Sequence, residues 1–309
     1  MEQRELGASG LRLSLVGLGT NNFGGRIDID AARKVIHRAL DVGVTHFDTA
    51  DIYGGGGKSE AIIGEVLGPR RNEVALATKF AKRMPHSTEE HRGSAAYVKL
   101  AVEASLKRLR TDRIDLLFMH EPDLSTPIEE TFRALDDLRK AGKIGVIAAS
   151  NFSAVELEDA AATAKRTGLP GFAGTQDEYS LTARTVETTL VPTMKKLHLG
   201  LVPYFPLGGG ALTGKYRKGK PLPHGARHKE GSERFLDPHW DTIEKLHAFA
   251  ETRGHTLLEL AMSWLARKPL VVSIIAGATK PEQVDANAKA VDWALTAAEM
   301  AEVDRITAR

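Results

Sequence analysis

The sequence predicts an α/β chain folded as a single (β/α)8 (TIM) barrel, and three observations carry that expectation. Eight short apolar runs rich in β-branched residues recur along the chain. Most lie about thirty residues apart, the length of one βα unit, with helix-spaced stretches between them. No second hydrophobic core and no linker interrupts the 309 residues, so residues 1–309 read as one domain.

The elements follow in order. Arg4–Leu6 and Leu11–Leu13 flank Gly7-Ala8-Ser9-Gly10 and predict a β-hairpin that caps the barrel bottom. The barrel strands are expected at Leu15–Leu18, Thr45–Asp48, Val74–Lys79, Ile114–His120, Ile144–Ser150, Phe172–Gln176, Leu201–Tyr204 and Val271–Ile275. Ala32, Val35, Ile36, Ala39 and Leu40 keep helical spacing, and Gly43 ends that helix. Val98 to Leu109 repeats the pattern, as do Ile128, Thr131, Phe132, Leu135 and Leu138, where Thr126-Pro127 supplies a cap residue and a first-turn proline. The connection between strands seven and eight is long, roughly 65 residues against about 25 elsewhere, and loops of that kind are usually functional. It holds a Gly/Pro/Lys/Arg-rich stretch, Gly208 to Pro238, and an amphipathic helix from Asp241 to Arg253. A terminal helix is expected over Thr296 to Ile306.

Composition excludes several classes of function. The absence of cysteine rules out a disulfide framework, a Cys-ligated metal and a thiol nucleophile. A balance of 42 Lys+Arg against 40 Asp+Glu points to neither nucleic acid nor a membrane surface as partner. The most apolar window, Leu270 to Ala278, is less than half the roughly twenty residues of a membrane helix. MEQRELGASG carries no apolar stretch for a signal peptide, so a cytoplasmic location is expected. The histidines show no metal-ligand spacing. Gly17-Leu18-Gly19-Thr20-Asn21-Asn22 fails as a Rossmann fingerprint, because the third glycine would fall at Asn22.

Chemistry in such a barrel sits where strands end. Strand two runs out through His46-Phe47-Asp48-Thr49-Ala50-Asp51-Ile52-Tyr53-Gly54, strand three through Thr78-Lys79, strand four through Met119-His120. Asp48, Tyr53, Lys79 and His120 therefore converge from consecutive βα junctions. A free tyrosine, with a pKa near 10, is too weak an acid to protonate a developing alkoxide quickly. A neighbouring ammonium lowers that pKa, a carboxylate holds the ammonium in place, and a histidine can hydrogen-bond the substrate oxygen. The set suits carbonyl reduction.

These residues, with Gly17-Leu18-Gly19-Thr20, Ala77-Thr78-Lys79, Asp115 to His120, Ile147 to Phe152 and Gly277 to Gln283, make the chain resemble the aldo-keto reductases along nearly its whole length. The resemblance implies NADPH/NADP+ as cofactor, bound without a Rossmann domain, with NADH as the lesser alternative. It makes Tyr53 the general acid, Lys79 its pKa tuner, Asp48 the partner of Lys79 and His120 the residue that orients a small-molecule carbonyl substrate. It places Ser150, Asn151 and Gln176 on the nicotinamide carboxamide, Tyr204 against the ring, and Gly19 and Thr20 near the ribose. Phe205 and Leu207 lie along the cofactor, Phe205 where the family often has serine. Gly277, Ala278 and Thr279 open a phosphate-binding helix start. Lys280 and Gln283 are implied for the 2′-phosphate, Gln283 where many relatives have arginine, and Asn287 for adenine. Phe23, Met84, Phe205 and Trp240 are candidates for an apolar substrate pocket.

Two further functions are compatible with the same residues. A Schiff-base barrel aldolase would use Lys79 as nucleophile, and a low-turnover nicotinamide-binding regulatory subunit would retain the cofactor without using it. The oligomeric state is not readable from the sequence.

Overall fold

The computed structural model describes residues 1–84, 91–222 and 239–308. An antiparallel hairpin comes first, β1 (Gln3–Glu5) against β2 (Arg12–Ser14), with Gln3 opposite Ser14. Eight parallel strands follow: β3 (Val16–Gly19), β4 (His46–Asp48), β5 (Ala75–Phe80), β6 (Ile114–Met119), β7 (Ile144–Ser150), β8 (Gly174–Gln176), β9 (Gly200–Leu201) and β10 (Ile274–Gly277). They lie side by side in chain order, and β10 returns to pair with β3. The remaining seam is closed by a parallel bridge, Leu201 to Val271. There the Leu201 N–H donates to Leu270 O at 2.7 Å and the Val272 N–H to Leu201 O at 2.8 Å. This is the (β/α)8 barrel expected from the sequence.

Strand side chains alternate between two faces, and this divides the core in two. Leu76, Phe80, Leu117, Met119, Ile147 and Ala149 point outward into the layer shared with the helices. Ala77, Leu116, Phe118, Ala148, Val202 and Val272 fill the barrel interior together with Leu6 and Leu13 of the hairpin, both fully buried. The hairpin is therefore a plug. Gly174 and Gly200 leave the space it occupies, since a Cβ on either would stand 2.6 or 2.8 Å from Leu6 Cδ1. Burying each leucine contributes about 1.5–3 kcal/mol.

Helices flank the barrel. The first, Ile29–Asp41, starts at Asp28, whose side chain accepts from the Ala31 N–H, and buries Ala32, Val35, Ile36 and Ala39. The helix Ile128–Lys140 starts differently from expectation: Pro127 is the cap, and Thr126 does not cap. The Thr126 hydroxyl donates instead to Asp123 at 2.8 Å, a carboxylate that also takes the Gly93 N–H at 2.7 Å. That charge-assisted bond fixes the rotamer of the Thr126 hydroxyl on Asp123. The helix near Asp241 spans Trp240–Glu251. A second helix, Leu257–Ala266, follows it. It escapes an amphipathic reading because Leu257, Leu260, Met262, Trp264 and Leu265 bury almost its whole circumference. Its start was signalled by the capping box of Thr256 and Glu259. The terminal helix is Ala297–Thr307, capped by Thr296. Of the basic stretch before Pro238, residues 223–238 lie outside the described residues, Arg227, Lys229 and Arg234 among them. Among the described residues no helix is long and apolar enough to cross a membrane.

Candidate active site

The same two-residue period builds the site. His46 is followed inward by Asp48, Ala77 by Lys79, Phe118 by His120, Ala148 by Ser150 and Gly174 by Gln176. Each polar residue is thus the last inward position of its strand, or one step past it. The register sets Gly19 beside Asp48 and Ser150 beside Gln176. Five strands deliver their polar ends to one layer above an apolar interior.

Lys79 and Asp48 are the innermost pair. Lys79 Nζ donates to Asp48 Oδ1 at 2.6 Å and to Thr49 O at 2.8 Å, and both side chains are essentially without solvent. The second Asp48 oxygen accepts from Gln176 Nε2 at 2.8 Å. Burial opposes the ammonium charge, but Asp48 and Tyr53 more than offset it and hold Lys79 above the ordinary lysine range. The Tyr53 hydroxyl stands 3.5 Å from the same Nζ. It is carried by a short turn, Tyr53–Gly56, in which Gly54 and Gly55 take left-handed backbone angles.

One expectation needs correcting here. Lys79 does pull the phenol toward ionisation, yet the phenol sits above its usual range, because burial is the larger effect and Asp48 and Asp51 add to it. Tyr53 is therefore held as a protonated donor. His120 meets Tyr53 edge to face, ring centres 6.1 Å apart. Burial and then the Lys79 and Lys82 cations push its pKa down to about 2, so the imidazole is neutral.

Above this floor opens a cavity of about 620 Å³, within the range of small-molecule sites. Asp48, Tyr53, His120, Gly19, Thr20, Ser150, Asn151, Gln176, Tyr204, Phe205, Leu207, Gly277, Ala278, Thr279 and Gln283 all line it. Their mutual bonds form a chain. The Tyr204 hydroxyl donates to Asn151 Oδ1 at 2.9 Å, Asn151 Nδ2 to His120 O at 2.9 Å, and Ser150 Oγ to Gln176 O at 2.9 Å. Thr279 donates from N at 2.7 Å and from Oγ1 at 3.1 Å to Gln283 Oε1.

Other expected residues stand elsewhere. Lys79 lies behind Asp48 and Tyr53 and does not line the cavity. Lys280 is the exposed cap of the helix Pro281–Lys289, and Asn287 is buried in that helix away from the cavity wall. Phe23 is fully buried in the core, and of the four apolar candidates only Phe205 lines the cavity.

The sequence reading did not single out Lys215, Gly209 and Gly210, which follow β9, or Lys82; all four line the cavity. A glycine run followed by Leu212-Thr213-Gly214-Lys215 just beyond a strand end was the available signal for the first three. The cavity offers a phenol donor, amide partners, an aromatic ring, glycine backbone and the Lys215 cation, groups suited to the carboxamide, ring and phosphates of a nicotinamide dinucleotide.

Comparison with known proteins agrees with this arrangement. The model of the "Aldo/keto reductase family" matches residues 15–308. The chain is 36% identical over 303 residues to a protein of Arabidopsis thaliana named a probable voltage-gated potassium channel subunit beta, covering 94% of this chain and 92% of the relative. It is 35% identical over 305 residues to an uncharacterized oxidoreductase of Bacillus subtilis (strain 168), covering 96% and 92%. It is 31% identical over 321 residues to the L-glyceraldehyde 3-phosphate reductase of Escherichia coli (strain K12), covering 99% and 92%.

Proposed function

The chain belongs to the aldo/keto reductase family of oxidoreductases, and from that premise we propose that it reduces an aldehyde or ketone to the alcohol with NADPH. The observation that carries the reading is the relay Asp48–Lys79–Tyr53 beneath the cavity, with distances of 2.6 and 3.5 Å and a neutral His120 beside the phenol.

A reduced nicotinamide bound in the cavity would supply the hydride; Tyr204, Asn151, Ser150 and Gln176 would hold and orient its ring end, and Lys215 with the Gly209–Gly210 backbone would meet its phosphates. This chain's residues do the rest. His120, neutral, hydrogen-bonds the carbonyl oxygen and fixes its position. Tyr53 Oη gives that oxygen its proton as negative charge develops there. The fixed Lys79 ammonium stabilises the phenolate left behind, and Asp48 keeps that ammonium charged and aimed. Because these groups serve charge that exists only late in the reaction, they act on the rate rather than on binding.

An aldolase reading is disfavoured by the burial of Lys79, whose ammonium is bonded to Asp48 and Thr49 and has no face on the cavity. A Schiff base needs a neutral amine within reach of the carbonyl. A regulatory subunit would have no need of the intact relay. The test is a turnover screen with NADPH against aldehydes, ketones and sugars, following the loss of reduced-nicotinamide absorbance. Tight NADPH binding with no turnover of any of them would favour the regulatory subunit.

A further inference from the structure

Beneath the turn that carries Tyr53 lies a second buried acid that the relay does not use. Asp51 is 2% exposed and Glu60 fully buried. The two carboxyls are satisfied very unequally. Glu60 Oε1 accepts from Thr78 Oγ1 at 2.5 Å and Oε2 from Arg108 Nε at 2.6 Å. Asp51 Oδ1 has no hydrogen-bond partner among the described residues. The Arg108 side chain lies flat under the turn: a Cβ on Gly57 would stand 2.3 Å from its Nε. One guanidinium thus faces two carboxyls, and Glu60 holds it. A buried carboxylate with one oxygen left without a donor is costlier than a buried carboxylic acid.

We propose that Asp51 is a positioning residue for the reaction: its carboxyl carries the proton of a buried Asp51–Glu60 acid pair beneath Tyr53, and loss of that proton weakens Tyr53 as an acid. The groups facing Asp51 are Glu60 from the helix Lys58–Leu67, Arg108 from the helix Ala95–Leu109, Lys79 from β5 and Tyr53 on its own turn. Burial and then the Glu60 charge push the Asp51 carboxyl up to about 8, against the pull of Arg108, the Ile52 N–H and Lys79. At neutral pH the acid is uncharged, and among the described residues the anion acting on Tyr53 is Asp48. As the pH rises through about 8, Asp51 releases its proton to solvent, and the new negative charge opposes the phenolate that proton donation must leave. The kinetic part of the proposal rests on the reading of Tyr53 as proton donor.

Three measurements on the intact protein decide it. Infrared difference spectra between about pH 6 and about pH 10 should show a protonated-carboxyl band vanishing near pH 8, absent in Asp51→Asn. In Glu60→Gln, where the repelling charge is gone, the band should vanish at lower pH. The ultraviolet titration of the Tyr53 phenol, taken as the difference from Tyr53→Phe, should come at lower pH in Asp51→Asn. Wild-type turnover should fall about tenfold between about pH 7 and about pH 9, while Asp51→Asn changes by less than about twofold over that span.

Proton loss from Asp51 below about pH 5, or a Tyr53 titration unmoved in Asp51→Asn, overturns the proposal. So does an alkaline fall that survives the substitution. If Asp51→Asn does not fold, Glu60→Gln decides the matter alone: the carboxyl band and the alkaline fall in turnover should move to lower pH together, and either one staying near pH 8 overturns the proposal. If no carbonyl compound is turned over at all, it is the reductase reading that fails, and the two titrations still judge Asp51.

Discussion

At the floor of the cavity Lys79 is without solvent, and its ammonium is fixed between Asp48 Oδ1 at 2.6 Å and Thr49 O at 2.8 Å. At the far rim Lys280 and Gln283 are exposed, Thr279 is occupied with Gln283, and no acid pairs with Lys280 among the described residues. The floor is finished before any ligand arrives, because an uncompensated buried charge would not survive folding. The rim is left to solvent, where a charge waits at little cost. Rate should therefore depend on the floor, and cofactor choice on the rim.

The largest effect should come from Tyr53→Phe. General acid catalysis typically contributes about 10²–10⁴-fold, so kcat should drop by at least that range while the NADPH Kd, read by fluorescence titration, stays within about twofold. Near-wild-type turnover would remove Tyr53 from the mechanism and with it the distinction between floor and rim.

Lys79→Met should cost stability as well as rate. It leaves Asp48 buried with Gln176 as its remaining side-chain donor, and breaking a buried pair in this way typically costs about 3–5 kcal/mol. Urea unfolding should show it. A midpoint unchanged from wild type would mean that Asp48 takes up a proton or finds water, and that the floor is less rigid than its distances suggest.

Acid should find the floor too. His46 and His120 are buried and neutral, with pKa values pushed down by desolvation to about 4 and about 2. The unfolded chain takes up their protons near pH 6.5, so the stability they contribute is complete above that value and is lost as the pH falls toward the folded values. At about pH 4.5 the loss amounts to about 2–3 kcal/mol for each. Thermal unfolding as a function of pH should show this slope in Lys280→Ala as fully as in wild type, and should show half of it in a folded His46→Gln.

The smallest effects belong to the rim, and they divide by cation. Lys215 lines the cavity, and Lys215→Ala should weaken NADPH and NADH alike by about 1.5–3 kcal/mol if it meets the shared diphosphate. Lys280 is exposed, and Lys280→Ala should weaken NADPH alone, by less than about 1 kcal/mol. Isothermal titration with both cofactors separates the two. An NADPH-selective loss at Lys215 would move the 2′-phosphate to that side of the cavity.

The floor was legible in the sequence for the reason that makes it rigid. Strand periodicity brings Asp48, Lys79, His120, Ser150 and Gln176 to one layer, and periodicity is visible in residue order. The barrel and its hairpin plug were legible on the same ground. What stayed hidden depends on chain path or on surroundings. Nothing in the composition of the stretch after β9 says that Lys215 turns back onto the cavity while Lys280 does not. Nor does residue order reveal that the half-buried Tyr53 stands where desolvation outweighs the pull of Lys79, which reversed the direction of its shift. The helix Leu257–Ala266 was missed because a helix wrapped on all sides loses the polar stripe that betrays one.

The barrel is not equally strong all the way round. β6 and β7 are registered through five residue pairs, Ile114 with Ile144 to Met119 with Ala149. β9 has two residues, paired with β8 at Gly174–Gly200 and Thr175–Leu201, and on its other side it meets the chain before β10 through the bridge Leu201 to Val271. That thin seam is where the wall should breathe, and the loops on either side of it, Tyr204–Leu207 and Gly277–Gln283, both contribute residues to the cavity lining. A dinucleotide lying across them would work as a clasp. At a hundred times its Kd it would add about 2.7 kcal/mol against opening. Amide hydrogens of Leu201 and Val272 should then exchange about a hundred times more slowly in the loaded protein if seam opening releases the ligand. Those of Leu117 and Ile147, on the opposite wall, should hardly notice.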